Sequence, residues 1–394
     1  MPLRAADLFR CVIVLFPGLI CPDFGIAQTG SFQGIGTLGG LNPSSAGLSV
    51  SPAGPVVVGS AKPGPRSGFS FPIRWTGGTI EQIVGLPGDG AGIANAVSAD
   101  GGAIVGTTGI GSGVNSHAFR SSPSGILILS SFLGDDGGSQ AFAVSSDGAV
   151  VVGAAASLSG SQAFRWNNAG GLQGLGDLPG GAFSSVASAV SADGNVVVGS
   201  SESAHGYEAF RWTQADGMVS LWSVTGVGNY NGAEGVSADG AVAVGYFRPE
   251  SGNYQAFRWT QATGMTPLGD LSGGQGSTAH GVSEDGSIVV GESYYNSNGG
   301  AFIWNAEHGM RNLQDLLTLD LGLDLTGWRL GAANGIATTA DTVYVVGTGL
   351  NPQSQPEGFL ATIPKSALMP EPGCLAGLGL FSILFGRRRS NRVI

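Results

Sequence analysis

The feature that most constrains this chain is a phrase repeated along it. Valine-rich runs close on a glycine at Gly59, Gly106, Gly153, Gly199, Gly245, Gly291 and Gly347, in steps of 47, 47, 46, 46, 46 and 56 residues. A fixed period of this length marks one supersecondary unit stacked on copies of itself, because so small a unit cannot bury its apolar face alone. The longer last step carries an insertion around TLDLGLDLTGWRL, residues 318–330, and the copies leave no room for a separate domain.

Each copy holds four short apolar runs. In the fourth these are SVASAVS (185–191), NVVVGS (195–200), EAFRWT (208–213) and GMVSLWS (217–223), and the first two are joined by Asp193-Gly194. Asp-Gly is a hairpin signal, since Gly accepts the positive φ of a tight turn. Composition agrees with a strand-and-turn protein. Gly accounts for 70 of 394 residues and charged residues for 11%, against roughly 25% in an ordinary domain, while 42% hydrophobic residues can supply a core. Four strands in about 46 residues is the length of a propeller blade. The expected fold is all-β, a seven-bladed β-propeller of four-stranded repeats. A β-helix fits less well, since its coils are shorter and lack regular Asp-Gly hairpins. A Val-Val-Val run also suits a strand whose two faces both press on neighbouring blades. The seventh copy has only three strands, while GSFQGIGTLGG (30–40) resembles GLQGLGDLPGG (171–181) in the fourth. An N-terminal strand is therefore expected to complete the last blade and close the ring, removing an exposed edge. The propeller spans 30–364.

Both ends carry targeting grammar. Arg4 and Arg10 precede an apolar run at 11–20, and Gly25-Ile26-Ala27 offers small residues for cleavage after Ala27, so 1–27 reads as a signal peptide. The tail, 365–394, runs from Pro370-Glu371-Pro372 through an apolar stretch at 374–385 to Arg387, Arg388 and Arg389. As a helix that stretch would rise about 18 Å, short of the ~20 residues a bilayer crossing needs, so it suits a marginal, transient anchor with its positive charges on the cytoplasmic side. Of 17 Lys and Arg, two lie in the signal and five in the tail; of 27 acids, Asp7, Asp23 and Glu371 do, which leaves the body near −14. Such a charge argues against nucleic acid and anionic lipid as partners. Cys11, Cys21 and Cys374 all fall in the terminal segments, so the body has no thiol chemistry.

The ordered tail closely resembles the PEP-CTERM sorting signal, over residues 370–392. The phrases HAFRS at His117, AFRW at Ala163, Ala209 and Ala256, LGDL at Leu175 and Leu268, and VSADG at Val97, Val190 and Val236 resemble the HAF-type extracellular repeat over about 31–363. These resemblances imply export to the envelope or extracellular matrix of a Gram-negative exopolysaccharide producer, with an exosortase-type sorting machinery as partner. They supply no catalytic residues.

The repeated charges read as scaffold. The Asp of the hairpin recurs at Asp100, Asp147, Asp193, Asp239, Asp285 and Asp341, and the third-strand Arg at Arg74, Arg120, Arg165, Arg211 and Arg258. Identical carboxylates around a ring share one environment and cannot be tuned to different roles. Asp accepts backbone N–H groups in its own turn, and an Arg between blades wants a carboxylate. Pairing each Arg with the Asp of the next copy leaves only Asp341 over, giving Arg74 with Asp100, Arg120 with Asp147, Arg165 with Asp193, Arg211 with Asp239 and Arg258 with Asp285. Trp75, Trp166, Trp212, Trp259 and Trp304 recur in register and are expected in the core. Trp222, Trp328, Tyr294 and Tyr295 lie off the pattern and are the candidates for a binding surface. His117, His205, His280 and His308 show no metal-ligand spacing. No cofactor, metal site or catalytic constellation is expected. The expected function is a non-enzymatic, exported interaction scaffold for exopolysaccharide or surface proteins. The alternatives are a carbohydrate-binding lectin and a polysaccharide hydrolase or lyase; a unique carboxylate pair at the axial mouth would favour the last.

Overall fold

The structure, a computed structural model, describes residues 29–64, 69–86, 90–109, 116–134, 137–221, 227–250, 252–294 and 300–369. Ala27, Pro370, Glu371, Pro372, Arg387, Arg388, Arg389, Trp222 and Tyr295 lie outside the described residues.

In the fourth copy the inner strand Gly180–Val190 pairs antiparallel with Val197–Ser203, which pairs with Gly206–Thr213, which pairs with the outer strand Gly217–Ser220. The same meander is built from Ser44–Val50 to Thr79–Gln82, Gly92–Val97 to Gly125–Leu129, Ser139–Val144 to Gly171–Gly174, Val227–Val236 to Gly264–Gly269 and Ser277–Val282 to Gly309–Asn312. A further sheet takes three strands from the last copy, Arg329–Thr338, Thr342–Leu350 and Pro356–Pro364. Its fourth strand is Ser31–Gly34, antiparallel to Pro356–Pro364, with Ser31 opposite Thr362 and Gly34 opposite Phe359.

The repeated apolar residues pack between units. Phe210, fully buried, sits with Val150, Val152 and Ala163 of the preceding unit. Phe257 sits likewise on Val198 and Ala209, and Phe302 on Val242, Val244 and Ala256. The valine run feeds both sides, for Val197 joins the cluster behind its sheet and Val198 the one in front. Consecutive apolar residues are needed for that reason, each burial contributing roughly 1.5–3 kcal/mol. Val57, Ile73 and Trp75 of the first copy meet Ala337, Val346 and Leu360 of the last in the same manner.

Two polar devices repeat alongside. A buried serine on four of the inner strands, Ser45, Ser139, Ser185 and Ser277, bridges two strands of the unit before it: Ser185 Oγ accepts from Ala163 N at 2.9 Å and donates to Gly176 O at 2.6 Å. Ser45 does the same for the mixed sheet, accepting from Gly358 N at 3.1 Å and donating to Gly36 O at 2.6 Å. At the hairpin end, backbone N–H groups of Ala53, Ala99, Ser146, Ala192 and Ala238 each donate to the matching carbonyl one unit on, over 2.9–3.3 Å.

The hairpin is a wider loop than Asp-Gly alone implies. Ser98 N bonds Ala103 O, Gly101 N bonds Ser98 O, and Asp100 sits between them, its Oδ1 accepting from Ser98 Oγ at 2.5 Å and Gly102 N at 2.8 Å. Gly is required at the next position twice over. Gly194 has φ 74°, and a Cβ there would lie 2.5 Å from Val150 of the preceding unit.

This loop corrects the expected ion pairs. Arg120, Arg165, Arg211 and Arg258 do reach the next unit's turn, but each Nε donates to a glycine carbonyl: Gly148, Gly194, Gly240 and Gly286, at 2.8–3.3 Å. None of the five expected pairs, including Arg74 with Asp100, is an ion pair within 4 Å. The carboxylates are already occupied by their own serine and backbone donors, and they face solvent, which removes the gain from a buried pair.

The insertion starts as a helical turn, Leu313–Asp315, continued by Leu316–Asp320. Asn312 caps it by accepting from Gln314 N and Asp315 N, and Leu313, Leu316 and Leu317 are buried against the last sheet.

Candidate functional site at the axis

Every inner strand carries a β-bulge at the same place. The register slips at Gly47/Ser49, Ala94/Ala96, Ala141/Ala143, Ala187/Ala189, Ala233/Gly235, Ala279/Gly281 and Ala333/Gly335. A bulge re-aims the extra side chain out of the ladder. The extra residues are Leu48, Asn95, Phe142, Ser188, Glu234, His280 and Asn334, and together with Val186 they line one cavity of about 330 Å³. The glycine that closes each valine run explains why the bulge fits. It lies opposite the bulge, and a Cβ on Gly59, Gly106, Gly153, Gly199, Gly245, Gly291 or Gly347 would stand 1.9–2.0 Å from an inner-strand carbonyl oxygen. The most repeated glycine of the chain thus makes room for its least repeated residue.

The cavity wall is chemically uneven. Leu48, Phe142 and Val186 form an apolar arc, and Asn95 and Asn334 tie neighbouring strands by donating to Ala141 O at 2.7 Å and Gly47 O at 2.9 Å. On the polar arc His280 Nδ1 lies 2.6 Å from Glu234 Oε2 of the preceding unit, and its Nε2 lies 3.6 Å from Glu292 Oε1. Glu292 Oε1 also accepts from the Tyr294 hydroxyl at 2.9 Å, which lies 3.1 Å from Thr278 Oγ1. Burial opposes charge on His280, but hydrogen bonds and charge from Glu234 and Glu292 outweigh it and raise the imidazole from 6.5 to about 9. The hydrogen bond from His280 holds the Glu292 carboxyl below the usual carboxylate range, against its partial burial. Burial, with the nearby Glu234 charge, pushes the Tyr246 phenol up to about 12.

Tyrosines crowd the same end of the units, opposite the Asp-Gly loops. Tyr207 and Tyr230 have ring centroids 5.3 Å apart, Tyr230 and Tyr254 6.0 Å, and Tyr246 and Tyr254 5.4 Å. Edge-to-face and tilted contacts of this kind hold aromatic rings in place. Tyr246 lies over Gly232, where a Cβ would come within 2.9 Å of the phenol oxygen. Tyr230 and Tyr294 remain 42% and 39% exposed, so the cluster presents ring surface to solvent.

Of the candidates read from sequence, Tyr294 stands in this site. Trp328 does not: it packs edge-on to Phe32 at 5.1 Å against the last unit's core, because the insertion folds back there. Trp75 and Trp212 are buried, and Trp166, Trp259 and Trp304 pack half-buried on inter-unit clusters. Glu234, His280 and Glu292 were missed. The available signal was the phrase small-X-small-Val, as in Ala233-Glu234-Gly235-Val236, whose X is the one position that changes in every neighbouring copy.

No family model matches the chain, and no curated protein matches it in sequence. Among solved structures it is similar to TolB from Acinetobacter baumannii, 13% identical over 67% of this chain and 64% of that one, with a TM-score of 0.42. It is also similar to oligogalacturonate lyase in complex with manganese, 12% identical over 86% of this chain and 100% of that one, TM-score 0.51. The β-propeller domain of the trilobed protease from Pyrococcus furiosus is 10% identical over 82% of this chain and 97% of its own, with a TM-score of 0.53. At these identities the likeness concerns fold alone, and that fold is the all-β propeller.

Proposed function

We propose that this chain is an exported, seven-bladed β-propeller, closed into a ring by Ser31–Gly34, that serves as a non-enzymatic binding scaffold associated with exopolysaccharide at the envelope or in the extracellular matrix. Closure is supported by Ser45, which bridges Gly358 and Gly36 as Ser185 bridges Ala163 and Gly176, and by Asn334 reaching Gly47. Export and sorting rest on the terminal segments: cleavage after Ala27, the Pro370-Glu371-Pro372 motif and the basic Arg387, Arg388 and Arg389, which match the HAF-repeat and PEP-CTERM resemblance and make an exosortase the sorting partner.

One observation carries the binding role. The repeated residues are spent on packing, while the non-repeated bulge residue of each inner strand converges on one cavity beside a tyrosine shelf. Localised chemistry on a repeated scaffold is the pattern of a binding site. Fractionation of the native host, with and without residues 370–372, combined with mass spectrometry of the mature C-terminus, tests the sorting. A processed C-terminus and matrix association that depends on those residues are expected; unchanged location with an intact tail would overturn it.

Cleavage of a polysaccharide is the second function, favoured by the non-repeated carboxylates Glu234 and Glu292 meeting at His280. General acid–base chemistry wants a group titrating near the working pH. His280 stays cationic to about 9, Glu292 is ionised below the usual range and Tyr246 is raised to about 12, which favours binding over catalysis. Release of reducing or unsaturated ends from the host polysaccharide, abolished in E234Q and E292Q, would reverse that preference.

A further inference from the structure

We infer that the tyrosine shelf at the axial mouth binds an uncharged, hydroxyl-rich glycan chain and discriminates against uronate-bearing ones. This deepens the binding role proposed above and rests on it. Three observations select that ligand chemistry.

The first is the kind of surface. Tyr207, Tyr230, Tyr246 and Tyr254 pack on one another with centroids 5.3–6.5 Å apart, so no ligand group fits between the rings. The cluster is a platform and not a cage. What it offers is the outward face of Tyr230 and, beside the axial acids, of Tyr294. A pyranose has a matching face of C–H groups that stacks on an aromatic ring while its hydroxyls point outward around the edge.

The second is the hydrogen-bonding character of the rim. Glu292 is held ionised, and an ionised carboxylate only accepts hydrogen bonds. Such acceptors next to an aromatic face suit a ligand rich in O–H donors, and bonds to a charged acceptor are the stronger ones. The third is charge. Glu202 stands opposite Tyr207 in the ladder, Glu208 follows Tyr207, and Glu234 and Glu292 flank protonated His280; Arg248 lies two residues from Tyr246, while Arg211 is turned to Gly240 O at the Asp-Gly end. With a body near −14, an anionic polymer would be repelled both at the rim and at distance.

The surface also continues. A second hollow of about 320 Å³, lined by Ser116, Gln140 and Ser161, shares Phe142 and Val186 with the axial cavity. An open, extended floor running past the axis suits a polymer better than a single sugar.

The experiment is calorimetric titration of the mature full chain with neutral gluco-, galacto- and manno-oligosaccharides of four to six units, and with oligouronates of the same length. At least one neutral series is expected to bind, with oligouronates at least tenfold weaker. Y230A is expected to weaken that binding at least tenfold and E292Q severalfold; Tyr230 packs on three other rings, so Y230A should lower the thermal midpoint only slightly and keep the cooperative transition of the folded chain, while L319A, at an exposed site on the insertion, should bind as the parent does. Equal or tighter uronate binding would overturn the inference. So would absence of binding by every neutral series, including the case where only host surface proteins bind, or full affinity in Y230A. A chain correctly processed and matrix-associated but blind to neutral glycans would refute this inference and leave the sorting proposal standing; neutral-glycan binding by a chain that is never processed would do the reverse.

Discussion

His280 Nδ1 stands 2.6 Å from Glu234 Oε2, and the two side chains belong to adjacent units whose sheets meet at the axis. The ion pair therefore fastens two units at the point where their bulges converge. Because the folded imidazole is raised above its ordinary value, its contribution to stability is complete below about pH 6.5 and is lost as pH rises through about 9. The linkage amounts to at most about 3 kcal/mol, Glu292 being the other side of the same interaction and not an addition to it. Thermal midpoints measured from pH 6 to 10 should fall across that window in the parent and be flatter in H280Q. An equal slope in both would contradict the assignment.

The hairpin aspartates act in the opposite direction. Hydrogen bonds from Ser98, Ser145, Ser191 and Ser237, then from the backbone, hold Asp100, Asp147, Asp193 and Asp239 below their ordinary range. A depressed carboxyl contributes above its unfolded value of about 3.8 and loses that contribution as pH falls through the folded one. Acid unfolding of D193N should be less steep with pH than that of the parent, read by circular dichroism between pH 5 and 2.

Ser45 tests ring closure. If the junction of first and last copies is a true inter-blade contact, S45A leaves the buried Gly358 N–H without its partner and costs about 1–3 kcal/mol, as S185A should for Ala163 N–H. Urea unfolding of the two variants should give comparable losses. A silent S45A beside a costly S185A would mean that the ring is open there.

Arg165 and Asp193 should be nearly uncoupled. The guanidinium bonds Gly194 O at 2.8 Å while the carboxylate faces solvent with its own donors. A double-mutant cycle with R165M and D193N should give a coupling below about 0.5 kcal/mol, typical of an exposed pair.

What the sequence made legible was whatever repeats. The strands around Val197 and Phe210 were readable because burial on both faces demands consecutive apolar residues, and the pairing of 31–34 with the last copy followed from the missing fourth strand. Arg165 was misassigned because periodicity reports that two residues face each other but not which atoms meet. The axial site was hidden for the complementary reason. Glu234 and His280 stand in the same phrase of successive copies, yet a search for repetition passes over the position that differs, and only the bulge shows that it points to the axis.

Hydrogen–deuterium exchange of the mature chain, with and without exopolysaccharide extracted from the host, tests the central claim most directly, namely that the axial mouth is the binding surface. The account predicts new protection confined to the strand ends that carry Tyr207, Tyr230, Tyr246, Tyr254 and Tyr294, with the Asp-Gly loops unchanged. Protection centred on the loops of Asp147, Asp193 and Asp239 instead would contradict it.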